Sequence, residues 1–121
     1  MLYTIEGSKI ETIPHRADHD RLESRLTTDQ YSAIIEAIHK AMNCVKIFNA
    51  SFLPGADWTG TPFMAIYEAC GEDQEQAGMM YGLLCWVAVQ RHPDEWVGYP
   101  STGKDEQAQK SLGRGWTYFR K

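Results

Sequence analysis

The chain has little cysteine, no excess of positive charge and no apolar run long enough to cross a bilayer. Each shortage removes a class of function. The 12 Lys and Arg are outnumbered by 16 Asp and Glu, leaving a net charge of −4, so there is no basic footprint for DNA or RNA. No nucleic-acid partner is expected. Cys44, Cys70 and Cys85 form no C-x-x-C pair, and no apolar segment follows a basic amino-terminal start. A secreted, disulfide-framed protein is therefore disfavoured and a reducing cytoplasm is the expected compartment. The longest apolar run, Met79 to Val89 with Gly82 inside it, is 11 residues, well short of the roughly 20 that span a membrane. It reads as a buried helix, and no membrane partner is expected.

What remains is ordinary globular material. A length of 121 residues with 43% apolar content suits one domain, 1–121, with its own core and no need of a staple. Four Trp and six Tyr argue against disorder and supply contact surface. Residues 2–6 and 9–13 alternate in character around Gly7-Ser8, a pair suited to a type II′ turn, so a β-hairpin is expected to open the fold. The charged segment 15–26 has only Leu22 and Leu26 as anchors and is either a short surface helix or a loop. Thr27 with Gln30 forms a capping-box pattern, and Tyr31, Ile34, Ile35, Ile38 and Met42 then recur at helical spacing as far as Asn43.

Residues 44–52, with Val45, Ile47, Phe48 and Phe52, read as extended. Thr61 as N-cap and Pro62 at the first helical position predict a helix bearing Phe63, Ile66, Tyr67 and Cys70 and ending at Gly71. Asp73 with Gln76 restarts a helix that runs to about Arg91, is apolar nearly all round, and must pass through the core or a subunit interface. The stretch 98–115 is polar and glycine-rich, and 116–120 alternates like a final strand able to pair with the amino-terminal hairpin. The expected class is α+β, with the hairpin and the last strand in a small antiparallel sheet packed on about three helices.

Chemistry-bearing patterns are sparse. Gly98 to Asp105 almost matches the phosphate-binding loop but lacks its final Ser or Thr and follows a helix late in the chain, so it reads as a surface turn. His15, Asp18, His19 and Asp20 are the densest set of candidate metal ligands, with the two His four apart, though without the glutamate of H-E-x-x-H. A solvated, salt-bridged face is the simpler reading. The three cysteines fall where a small buried hydrophobe is the default, and His39 and His92 lie near helix C-termini, where the dipole favours them. No Gly-x-Ser-x-Gly elbow is present. No catalytic residue and no cofactor is assigned. Gly78 and Gly82, four apart, allow close helix approach, either within the domain or across a homodimer.

The stretch Pro54 to Pro62 sets a tryptophan among loop formers. Asp57, Thr59 and Thr61 suit turn and cap bonding, and Trp58 exceeds what a tight loop buries easily. The run from Pro54 through Phe63 to Ile66-Tyr67-Glu68-Ala69-Cys70-Gly71 resembles uncharacterised small proteins of bacteria and their phages over about 18 residues. That resemblance carries no functional residue and implies only a mobile-element origin. The expected function is non-enzymatic protein binding through Trp58, Asp57 and Thr59, joined by Trp96 or Trp116, as in a phage-type inhibitor of a host protein. The alternative is a small ligand-binding or metal-dependent enzyme with a pocket near Asp57 to Pro62, drawing on Glu68 or His39.

Overall fold

The segment richest in apolar residues becomes the axis of the fold. In the computed structural model, which describes residues 1–49, 58–100 and 116–121, α4 (Gln74–Arg91) buries Ala77 and every residue from Met80 to Val89. Such a helix has no solvent side, so neighbours must cover it all round. They are α1 (Arg16–Arg25), α2 (Thr28–Asn43) and α3 (Met64–Ala69), with the sheet completing the circle through Trp116 against Trp86. Asp73 starts α4 by accepting the amides of Glu75 and Gln76 at 3.0 and 3.1 Å. The capping box of α2 is complete: the Thr27 hydroxyl accepts the Gln30 amide at 3.0 Å, and the Gln30 side chain accepts the Thr27 amide at 2.9 Å.

Residues 15–26 take one of their two expected forms, and one helix start differs from expectation. The charged segment after Pro14 is helical, and it begins at His15 in a left-handed conformation with φ 52° and no side-chain cap. Thr61 does not cap α3; its hydroxyl donates to the Trp58 carbonyl at 2.7 Å, closing a turn that delays the helix to Met64. Gly71 ends that helix at φ 69°, a conformation a Cβ disfavours.

Four described strands form one mixed sheet, and the protein is α+β. The strands are β1 (Leu2–Tyr3), β2 (Ile47–Asn49), β3 (Trp96–Pro100) and β4 (Trp116–Arg120), in the spatial order β1-β3-β4-β2. The chain does fold back after β1, through Thr4 to Ser8 with Gly7 at φ 94°, but pairing stops at a single bridge between Tyr3 and Lys9. The expected hairpin goes no further because α4 captures its second arm: Gln90 donates to the Ile10 and Thr12 carbonyls and the Trp86 indole donates to Thr12. The partner of β1 is instead β3, in parallel, and β4 pairs with β3 and β2 rather than with the amino terminus. Residues 50–52 of the expected extended segment lie outside the described residues.

Candidate functional site

Strand alternation divides the sheet into two unlike faces. Leu2, Phe48, Trp96, Gly98 and Tyr118 point to the helices and are buried. Gly98 is the closest approach on that side, where an added Cβ would lie 3.0 Å from Leu2 and 3.2 Å from Tyr118.

The other face is ordered in three transverse rows by the strand register. One end carries Glu95 and Lys121, whose backbones bond at 3.0 Å. The next row crosses all four strands as Tyr3, Val97, Phe119 and Ile47. The third holds Tyr99, Thr117 and Asn49. The middle row has no charged member, and it opens outward at its β2 end, where Ile47 is 52% exposed. Tyr3 and Phe119 are half-buried, and Val97 between them is buried. Ring contacts tie the rows together, Tyr99 to Phe119 at 5.6 Å and the Lys121 ammonium over Tyr3 at 4.5 Å. Ile5, in the turn after β1, is 70% exposed. Scattered exposed apolar residues are ordinary, whereas an aligned row across a whole sheet is a candidate interface.

The residues singled out from sequence do not converge on one surface. Trp58 is half-buried against Phe63 and Tyr81, with ring centroids at 6.3 and 5.7 Å. Thr59 is exposed, and Asp57 lies outside the described residues. Trp96 is fully buried, and its indole donates to His92 at 3.2 Å, so it offers no contact surface. Trp116 lies half-buried on the helix side of the sheet. These tryptophans were legible as large apolar rings, but which of them face inward is decided by strand pairing. The outer row was missed because its four members come from four strands, whose pairing leaves no local mark in the sequence.

The His15, Asp18 and His19 set is pulled apart. His19 is buried, with Nε2 at 2.8 Å from the Tyr31 hydroxyl and Nδ1 at 3.0 Å from Asp20. That bond to His19, first among its causes, holds the Asp20 carboxyl below its ordinary value. His15 stands exposed before the helix starts, and Asp18 pairs with Arg21 at 3.3 Å. Among the described residues no three His, Cys, Asp or Glu side chains gather to hold a metal.

Cys85 is wholly buried in α4, and burial pushes its thiol up to about 12, which removes it as a nucleophile near neutrality. His39 is engaged at 2.7 Å with the Ala88 carbonyl, and Glu68 is exposed. Gly82 is buried inside the domain and Gly78 is half-buried. A groove of about 240 Å³ lies between α1, α3 and α4, bordered by Arg21, Arg25, Cys70 and Gln76. Its cations are already engaged, Arg21 by Asp18 and Arg25 by the Ala69 carbonyl at 3.2 Å. Burial also raises the Cys70 thiol there. No helix among the described residues is long and apolar enough to cross a membrane. No family model, curated protein or solved structure matches the chain.

Proposed function

We propose that the chain is a non-enzymatic binding module that docks a protein partner on the outer face of its sheet. The observation that carries this reading is the row Tyr3, Val97, Phe119 and Ile47, uncharged across all four strands and turned away from the helices. Protein interfaces place apolar and aromatic anchors centrally and polar groups at the rim. Here Glu95 and Lys121 supply one rim and Asn49 the other. Catalytic readings lack such support, because His19, His39 and His92 all spend ring nitrogens on internal partners. A host protein is the first partner to try, given the resemblance to bacterial and phage proteins.

The test uses tagged wild type, an Ile47→Lys/Tyr99→Ser double variant and Trp58→Ala, each checked for native circular dichroism. A specific partner should be retained by wild type and Trp58→Ala and fall at least about tenfold with the face variant, the loss of one anchoring contact. Equal retention of every partner by all three proteins sinks the reading.

A further inference from the structure

The end of α4, the start of β3 and the amino terminus are knotted around one imidazole. His92 is 2% exposed, and both ring nitrogens are in use. Its Nε2 lies 2.7 Å from the Asn43 side-chain oxygen on α2 and donates to it. Its Nδ1 is left as an acceptor, taking the Asp94 amide at 3.0 Å and the Trp96 indole at 3.2 Å. Two donors on one nitrogen fix the neutral tautomer.

The charges around the ring also favour neutrality. The His39 ring stands perpendicular at 5.0 Å from α2, and the Arg120 guanidinium of β4 lies 4.6 Å over Trp96. The Met1 ammonium donates to the His92 carbonyl and, at 3.1 and 2.9 Å, to those of Val89 and Asp94. Among the described residues, only the Asp94 carboxylate opposes them. It sits 3.9 Å from Nδ1 and is held away from the ring by its pairing with Arg120.

We propose that His92 is an acid-operated latch: proton uptake at Nδ1 ejects the Trp96 indole and the Asp94 amide and passes the ring to the Asp94 carboxylate. A protonated Nδ1 has no lone pair for two N–H donors, and the nearest acceptor is the carboxylate already in place. Arg120 then loses Asp94. Because the same guanidinium group donates to the Met42 and Val45 carbonyls at 3.0 and 3.1 Å, the change reaches the chain entering β2.

The experiment follows the Trp96 indole and Asp94 amide resonances of ¹⁵N-labelled protein from about pH 8 to about pH 5, the range in which histidines titrate. Both should move together in a single step, and the step should be absent from His92→Gln. In Asp94→Asn, which keeps the backbone amide but removes the negative charge that would hold the protonated ring, the step should shift to lower pH. This second variant keeps the test decisive even where His92→Gln fails to fold. Resonances that hold still until the whole spectrum collapses, that move alike in His92→Gln, or that keep their midpoint in Asp94→Asn overturn the latch.

Discussion

Trp86 on α4 and Trp116 on β4 meet edge to face with ring centroids 4.9 Å apart, joining the central helix to the last strand. A half-exposed tryptophan is thereby committed to the fold. Trp116→Ala should lower unfolding stability by about 2–3 kcal/mol, since it removes buried ring area and an aromatic pair. Urea titration measures this, and a loss under about 0.5 kcal/mol, the level of an ordinary surface change, would assign the ring to a partner instead.

Tyr118 presents the opposite case. Its ring is fully buried, stacked with Phe48 at 6.3 Å, and its hydroxyl has no hydrogen-bond partner among the described residues. Burial raises its pKa well above the ordinary tyrosine value, so it stays neutral. An unpartnered buried hydroxyl costs stability that phenylalanine does not. Tyr118→Phe should therefore stabilise the protein by about 1 kcal/mol, read as a higher denaturant midpoint at unchanged slope. A destabilised variant would refute this account of the hydroxyl.

Ile47 and Phe48 are chain neighbours on opposite faces of β2, 52% and 0% exposed. Ile47→Ala should change stability by less than about 0.5 kcal/mol, whereas Phe48→Ala should cost about 3–5 kcal/mol. Thermal melts of the two variants test the face assignment, and similar losses would break it.

Stability should also depend on pH through His92. Burial, followed by the nearby His39, lowers its pKa from the ordinary 6.5. Between the folded and unfolded values the unfolded chain therefore binds more protons. Stability is full above about 6.5, falls as pH drops toward the folded value, and levels off below it. Urea midpoints at about pH 7.5 and about pH 5.5 should differ in wild type and draw closer in His92→Gln, since glutamine does not titrate. Asp20 acts in a separate, more acid window: its lowered pKa contributes stability that disappears only as carboxylates protonate below about 4.

The caps of α2 and α4 provide a local check. Thr27→Ala and Asp73→Ala each remove a side-chain acceptor of helix-start amides and should cost about 1 kcal/mol apiece. Their sites lie on different helices, and the double variant should show the sum of the two losses.

How far the sequence could be read follows from the range of each signal. The limits of α2 and α4 were legible because Thr27 with Gln30 and Asp73 with Gln76 act within one turn. The alternation of residues 116–120 likewise marked β4. Pairing across long separations leaves no local mark, so the parallel partnership of β1 with β3 was missed and a hairpin expected in its place. β3 itself was hidden because Gly98 and Pro100 read as loop, although Gly98 is there for the close approach of Leu2 and Tyr118. His19 looked like a surface ligand because its partner, Tyr31, sits on the next helix. The outer sheet row was invisible for the same reason: its four members come from four strands.

The placement of Leu2 and Tyr3 beside Trp96 and Val97 sets a timetable. A nascent chain emerges amino end first, and the four described helices are synthesised before the partner of its first strand exists. The helices can gather around α4 early, through contacts that are close in sequence. The sheet has to wait. Its last closure spans most of the polypeptide, the kind of loop whose entropy slows folding most, and until then Leu2 and the Met1 amine lack the neighbours that later enclose them. Nascent chains halted before residue 96 should therefore hold helical structure without the sheet.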